Sequence, residues 1–292
     1  MMTIALHRPG AIGDILMGLN VVPELHKRFP DAIIHYFCHP SYGEALSPIL
    51  RDAGVSDWKS SLDFNKVWMT YTMVRNLVGY PQNGPMVKHL INYFALDMGL
   101  SEFKILPSLE VRSLPRIAVP QAPYITLHPK AGWSMYKNFD RWDEVIKHLD
   151  LPVYQIGQGN EPVVSGANPE YMGRSLCEAM ALMSHATCHL GVDSFSNHVT
   201  HFSFQGRKIP SVILWGSTQI SASGYDHNIN ISANLPCQPC FREDPKISAD
   251  PRGMCPNPAG QTYENPRHAC MAAISTQSVI EATKNLLSRL KF

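Results

Sequence analysis

The chain has 292 residues, with 25 Lys and Arg, 24 Asp and Glu and 13 His, and its formal net charge is +1. This length exceeds what one hydrophobic core usually supports and predicts two domains with a cleft between them. The basic residues form no stripe, so no nucleic-acid partner is expected. No apolar run reaches the roughly 18 residues of a membrane span and no signal peptide is evident, so we expect a cytoplasmic protein. Charged residues make up only 17%, which leaves apolar surface for a domain interface or a homo-oligomer.

The first part of the chain predicts a βαβ unit, and therefore a parallel sheet. The strand IALH (4–7) is followed by a helix from Ile15 to Arg28 and by the strand AIIHYFCH (32–39). A second helix is predicted in MVKHLINYFALDMGL (86–100). Four prolines in PSLEVRSLPRIAVPQAP (107–123) predict an extended connection. The domains are accordingly placed at 1–119 and 120–292.

Alternating strands and helices in the second part predict another Rossmann-like domain. The predicted helices cover 142–149, 175–185, a segment after residue 192, and a final helix that Ser275 can cap. The predicted strands are YITLHP (124–129), PVYQIG (152–157), CHLGV (188–192) and SVILWG (211–216).

A loop with two glycines follows the first strand, in HRPGAIGDILMGLN (7–20), and places Asp14 where a helix begins. The loop has neither the P-loop sequence nor the GxGxxG dinucleotide fingerprint. An ionised carboxylate is favoured at a helix start and can take a proton from a hydroxyl. The alternative is that Asp14 is an N-cap residue.

This stretch resembles the amino-terminal signature of glycosyltransferase family 9, the ADP-heptose:lipopolysaccharide heptosyltransferases. The matching residues are Gly13-Asp14, Pro23 and the basic helix end His26-Lys27-Arg28. The resemblance implies an α/β, GT-B architecture, with two Rossmann-like domains facing each other across a cleft. It also implies that Asp14 is the general base toward the acceptor, with Gly13 beside it at the donor.

Two segments of the second part extend the resemblance to a nucleotide-sugar donor site. HPKAGWSMYKNFDRW (128–142) resembles the family segment whose lysine meets the donor diphosphate. This implies that Lys137 stabilises the leaving group, with Ser134 as a further donor contact. QIGQGNEP (155–162) implies a ribose contact at Glu161. A solvated lysine and a helix-start glutamate are the alternatives.

The segment MGRSLCEAMALMSHATCHLGVDSFSNHVTHF (172–202) resembles the family's donor motif. Asp193 and His198 keep the motif spacing, and Ser194 can cap a helix whose amides and dipole would receive the diphosphate. A structural helix histidine is the alternative for His198. Phe195 departs from the family, which has glycine at this position.

Four cysteines, Cys237, Cys240, Cys255 and Cys270, follow the last predicted strand with spacing close to metal-binding patterns. The Pro- and Gly-rich loop around them has little core to bury, so a structural zinc or iron ion would constrain it. His268 can replace one thiolate, and two disulfides are the alternative. The arrangement also resembles bacterial autotransporter heptosyltransferases, relatives that modify protein hydroxyls and bind iron through cysteines. No metal is expected in catalysis.

Together the resemblance implies an inverting glycosyltransferase that moves heptose from ADP-heptose to a hydroxyl of a glycan, a lipopolysaccharide core or a protein. Two alternatives remain: a non-catalytic nucleotide-sugar-binding protein, and a metal or redox protein that uses the cysteine quartet.

Overall fold

A computed structural model describes residues 2–67, 70–78, 87–121, 123–131, 137–240 and 268–290. The chain divides into two compact units. The first comprises Met1–Arg116, Ser175–Ala181 and His201–Lys208. The second comprises Ile117–Arg174, Leu182–Thr200 and Ile209–Phe292. Within the described ranges, no helix has the length and apolar content that crossing a bilayer requires.

The first unit is built on a four-stranded parallel sheet. Its strands are β1 (Thr3–His7), β2 (Ile33–Cys38), β3 (Asp57–Ser60) and β4 (Met73–Asn76). They lie in the order β3-β2-β1-β4, and His7 of β1 is in register with Phe37 of β2 and Asn76 of β4. The strand order reverses between β1 and β4. In open α/β sheets, ligands bind at such a point, outside the carboxyl ends of the strands.

The predicted helix from Ile15 to Arg28 is wrong as a single element, because the chain forms two helices there. The helices of this part are α1 (Ile12–Leu19), α2 (Val22–Arg28), α3 (Pro40–Ala45), α4 (Ser47–Asp52), α5 (Phe64–Val67) and α6 (Leu90–Asp97). Pro23 lies in the first turn of α2 and cannot donate the hydrogen bond that would continue α1. The side chain of Asn20 ends α1. Its Nδ2 donates to the backbone carbonyl of Leu16 (3.0 Å), and its Oδ1 accepts from the backbone N–H of Leu109 (2.8 Å).

The second unit is built on a five-stranded parallel sheet in the order β6-β5-β7-β8-β9. Its strands are β5 (Ile125–His128), β6 (Val153–Gln155), β7 (Cys188–Val192), β8 (Ser211–Trp215) and β9 (Ile229–Ser232). Four of these strands were predicted and β9 was not. Strands β5, β7 and β8 are buried along their whole length, as expected for strands covered on both faces. The order reverses between β5 and β7, which makes the carboxyl ends of these two strands the expected ligand edge.

The second part of the chain also contains helices within the described ranges. They are α7 (Trp142–Ile146), α8 (Leu176–His185), α9 (Phe195–His201), α10 (Ile220–Ser223), α11 (Ala269–Ala272) and α12 (Thr276–Arg289). The predicted cap of the last helix is confirmed, because the Ser275 hydroxyl accepts from the Ser278 amide at 3.1 Å. Trp142 of α7 and Val279 of α12 belong to the same buried hydrophobic cluster as Leu190 and Leu214 of the sheet.

Candidate functional site

Three side chains meet at the strand-order reversal of the second sheet. Asp193 follows β7 directly, and Thr218 follows β8. The Asp193 carboxylate accepts hydrogen bonds from the Lys137 ammonium (Nζ to Oδ2, 2.6 Å) and from the Thr218 hydroxyl (Oγ1 to Oδ2, 2.5 Å). The side chains of Lys137 and Asp193 are 20% and 3% exposed, so the ion pair is largely buried.

The electrostatics of this trio keep Asp193 ionised. Burial acts to raise the pKa of the Asp193 carboxyl, but the charges of Lys137 and His198 and the two hydrogen bonds outweigh it. The net effect is a pKa below the ordinary value. An ammonium has three N–H donors, and Asp193 accepts one of them. Lys137 is therefore a cation fixed by a buried carboxylate, and Asp193 is the one acceptor of its N–H groups among the described residues. Its remaining N–H groups can donate to an anionic ligand.

A buried histidine, His128, holds the side chain of Ser194. The Ser194 hydroxyl lies 2.8 Å from Nδ1 of His128 and 3.1 Å from the Ser196 hydroxyl. Burial lowers the pKa of His128 to about 4, so the imidazole is neutral at physiological pH. The ring of Phe195 meets the His128 ring edge-on, with centroids 4.8 Å apart. Phe195, which stands where the family has glycine, therefore packs on His128, and His128 in turn orients Ser194.

His198 lies in α9 and is 5% exposed. Its Nδ1 is 3.0 Å from the hydroxyl of Tyr225. Burial and the negative charge of Asp193 raise the pKa of Tyr225 well above its ordinary value, so this phenol keeps its proton. A contact of His198 with a donor ligand stays a prediction.

Glu161 follows β6 and turns back toward Gly157. A Cβ added to Gly157, whose φ is +151°, would lie 2.4 Å from Oε2 of Glu161, so only glycine permits this approach. Oε2 is buried and has no hydrogen-bond partner among the described residues. Since buried oxygens are normally paired, this atom is an acceptor suited to a ligand hydroxyl.

In the first unit, Asp14 lies in the first turn of α1, close to the strand-order reversal between β1 and β4. Its carboxylate forms an ion pair with Arg8, and its side chain is 16% exposed. Arg8 also donates to two carbonyls that follow β4, those of Leu77 (3.1 Å) and Val78 (2.9 Å). The N-cap residue of α1 is Ala11, so the interpretation of Asp14 as the N-cap is wrong.

The predicted metal ligands are only partly described. Cys237 and Cys240 follow β9, and Cys270 is a buried residue of α11. Cys255 and the predicted donor contact Ser134 lie outside the described residues. Within the described part of the chain, no three His, Cys, Asp or Glu side chains are grouped as a metal site. The quartet therefore stays a prediction.

Sequence reasoning missed the partners of the predicted residues, and three of these partners, Arg8, His128 and Thr218, share one position in the fold. Arg8 follows β1, His128 ends β5, and Thr218 follows β8. Each lies at the carboxyl end of a buried strand, and that position was the available signal. Gly13 was predicted and lies next to Asp14 in α1.

Comparisons with known proteins give structural similarity only, since no protein-family model and no curated protein matches the chain. TibC from enterotoxigenic E. coli H10407, an iron-containing dodecameric glycosyltransferase, is 17% identical over 99% of this chain and 77% of its own, with a TM-score of 0.72. A second TibC structure is in complex with ADP-D-β-D-heptose (TM-score 0.70).

Two further structures match over nearly their whole length. ADP-heptose lipopolysaccharide heptosyltransferase II of E. coli is 16% identical over 99% of both chains, with a TM-score of 0.68. A glycosyltransferase of family 9 from Veillonella parvula DSM 2008 is 14% identical over 99% of this chain and 97% of its own, also at 0.68. The predicted fold class is confirmed: the chain has the α/β, GT-B fold of the family 9 heptosyltransferases.

Proposed function

We propose that the protein is a glycosyltransferase that moves a sugar from a nucleotide sugar to an acceptor hydroxyl. The observation that supports this most is the buried trio of Lys137, Asp193 and Thr218. It places a fixed cation at the edge where a doubly wound sheet binds ligands. A departing nucleoside diphosphate gains negative charge as its bond to the sugar breaks, and a preorganised ammonium stabilises that charge.

The donor is a nucleoside diphosphate sugar, for which we propose ADP-heptose. Glu161 supports the assignment because its buried Oε2 can accept from a ribose hydroxyl. Ser194, held by His128, and His198 complete the proposed donor contacts. TibC, which shares the fold, has been solved with ADP-D-β-D-heptose.

Asp14 is the proposed general base. The acceptor hydroxyl transfers its proton to the Asp14 carboxylate, and the acceptor oxygen attacks the anomeric carbon from the side opposite the diphosphate. The bond from that carbon to the diphosphate oxygen breaks, and its electron pair leaves with the diphosphate, so the anomeric configuration inverts. Arg8 pairs with Oδ2 and holds the carboxylate, and this contact supports Oδ1 as the proposed proton acceptor.

Nucleotide binding tests the donor assignment. We expect ADP and ADP-heptose to raise the Tm of the purified protein, since a ligand at 100 times its Kd stabilises by about 2.7 kcal/mol. Lys137→Met should weaken the affinity for ADP by about tenfold or more, the order of one charge-assisted hydrogen bond. Lys284→Met removes an exposed lysine of the same unit and serves as the matched control. Equal ADP affinity in both variants, or no nucleotide binding at all, contradicts the donor site.

Inversion is tested by proton NMR of the product. The anomeric coupling should show the configuration opposite to that of the donor sugar. Retention of configuration would contradict a single displacement with Asp14 as base.

Metal binding is proposed separately, with zinc or iron on Cys237, Cys240, Cys255 and Cys270 in a structural role. The support is the thiolate set and the similarity in fold to iron-containing TibC. Elemental analysis should find one equivalent of metal per chain, lost in Cys237→Ser. A metal-free, folded protein contradicts the proposal. The homo-oligomer and the cytoplasmic location also stay predictions.

A further inference from the structure

A buried tyrosine, Tyr225, lies beside His198 in the second unit. Its side chain is 1% exposed, and its hydroxyl is 3.0 Å from Nδ1 of His198. The two rings meet edge-on, with centroids 6.0 Å apart. Asp193 is close enough to interact electrostatically with both residues. Tyr225 therefore lies next to the proposed donor contacts, although the sequence gave no reason to include it among them.

Hydrogen bonds hold the segment of Tyr225 against α9. This segment lies between α10 and β9. The side chain of Asn197 donates to the carbonyl of Ser223 at 2.9 Å and accepts from Nδ2 of Asn228 at 3.1 Å. Asn197 and Asn228 are both buried. Because Asn197 directly precedes His198 in α9, this network fixes the phenol and the imidazole relative to each other.

The direction of the hydrogen bond between Tyr225 and His198 determines where the imidazole carries its proton. Burial and the charge of Asp193 raise the pKa of Tyr225 well above its ordinary value, so the phenol keeps its proton. A buried O–H group requires an acceptor, and an Nδ1 lone pair at 3.0 Å can accept it. A neutral imidazole that accepts at Nδ1 has its own proton on Nε2.

This choice of tautomer matters for an anionic ligand. The oxygens of an ionised diphosphate accept hydrogen bonds and donate none. A histidine with its proton on Nε2 can donate from that atom to a diphosphate oxygen, and hydrogen bonds to ionised groups are among the strong ones. In the other tautomer, Nε2 would present a lone pair to the same oxygen and repel it.

We propose that Tyr225 is a positioning residue for His198. By donating to Nδ1, the Tyr225 hydroxyl fixes the imidazole in the tautomer with the proton on Nε2, and this N–H group donates to the diphosphate of the nucleotide sugar. The inference rests on the proposed function, because it deepens the donor contact assigned there to His198. Tyr225 acts only through His198.

¹⁵N NMR of the ligand-free protein with labelled histidine tests the tautomer without any nucleotide. The His198 signals are identified by the NOE between its ring protons and those of Tyr225. We expect the proton on Nε2 in the unaltered protein and a mixture of tautomers in Tyr225→Phe, in which Nδ1 loses its donor. Tyr154→Phe removes a hydroxyl from β6 of the same unit and should leave the His198 signals unchanged. A proton on Nδ1 of the unaltered protein, in a neutral ring or an imidazolium, would overturn the proposal.

A double-mutant cycle tests the path through His198. In calorimetry, Tyr225→Phe should weaken ADP affinity about fivefold, the order of one hydrogen bond, whereas Tyr154→Phe should not change it. In a His198→Gln background, Tyr225→Phe should have no further effect, because the two residues act as one unit. An equal loss in both backgrounds would show a purely structural role and overturn the proposal, and so would unchanged ADP affinity in Tyr225→Phe.

The two measurements also separate this inference from the proposed function. If the unaltered protein binds no ADP, the donor assignment fails, and the diphosphate contact of His198 fails with it. If ADP binds but the proton is on Nδ1, or if the two substitutions act independently, only the role of Tyr225 is wrong. The NMR result does not depend on His198→Gln, so it decides the question if that variant fails to fold.

Discussion

The ion pair between Lys137 and Asp193 makes a prediction about stability that is independent of any ligand. Replacing Lys137 with Met leaves a carboxylate that is 3% exposed, with the Thr218 hydroxyl as its one side-chain hydrogen-bond donor among the described residues. Breaking a buried pair in this way costs about 3–5 kcal/mol. Because Lys137 is itself one-fifth exposed, we expect the lower end, about 3 kcal/mol. At about 2 °C per kcal/mol for a chain of this size, the Tm falls by roughly 6 °C.

A second substitution separates two effects: the loss of the ion pair with Lys137, and the cost of leaving the Asp193 carboxylate buried without a counter-charge. Asp193→Asn in the Lys137→Met background removes the uncompensated carboxylate and should restore most of the lost Tm. Differential scanning calorimetry at several pH values measures both variants. Equal Tm values for the unaltered protein and Lys137→Met, or no recovery in the double variant, would refute the buried-pair argument.

The pH dependence of the same pair has a definite sign. In the folded protein the pKa of Asp193 lies below its ordinary value of 3.8, so its stabilisation is present above that value and lost as pH falls through the folded pKa. In Lys137→Met, burial acts to raise the pKa of Asp193 and the lysine no longer opposes it. The deficit of the variant should therefore shrink as the pH falls from 7 toward the ordinary carboxyl pKa of 3.8, because Asp193 takes up a proton at higher pH in the variant than in the unaltered protein. A deficit that is constant over this range contradicts the assignment.

Three further substitutions probe the packing of the first unit and the site of the second. Gly43→Ala pushes a methyl group into the Trp58 ring and should cost about 1–3 kcal/mol in chemical denaturation; unchanged stability would show that the ring is not held there. His128→Gln should weaken ADP-heptose affinity about fivefold in calorimetry by releasing Ser194, and unaltered affinity would remove that orienting role. Glu161→Gln should raise the free energy of unfolding of the ligand-free protein by about 1 kcal/mol, because it removes the cost of the unpaired buried carboxylate oxygen, and it should lower nucleotide affinity. If stability and nucleotide affinity both rose or both fell, the ribose contact would be contradicted.

The sheet of the second unit was predictable because its inner strands are continuous apolar runs. Segments such as CHLGV and SVILW are buried on both faces, and turn residues bound them. β9 was not predicted because its residues, INIS, are only half buried and do not form a continuous apolar run. The same physical reason applies to β3 (DWKS) and β4 (MVRN), which form the two edges of the first sheet.

The site was predictable residue by residue, but its contacts were not. Asp193 was singled out because the motif and the strand end coincide. Its bonds to Lys137 and Thr218 join residues 56 and 25 positions away, and only the order of the strands brings them together. For Asp14, the sequence indicated a helix start, whereas the ion pair with Arg8 across the glycine loop was not predicted.

Turnover by Asp14→Asn tests the central claim most directly. Release of ADP from ADP-heptose is measured with lipopolysaccharide-core oligosaccharides as acceptors, next to Asp31→Asn, which alters an exposed carboxylate of the same unit. We predict that Asp14→Asn lowers turnover by about 10²–10⁴-fold, the usual contribution of a general base, and leaves ADP affinity unchanged. Asp31→Asn should match the unaltered protein. Unimpaired turnover by Asp14→Asn would contradict the role of this carboxylate as the base.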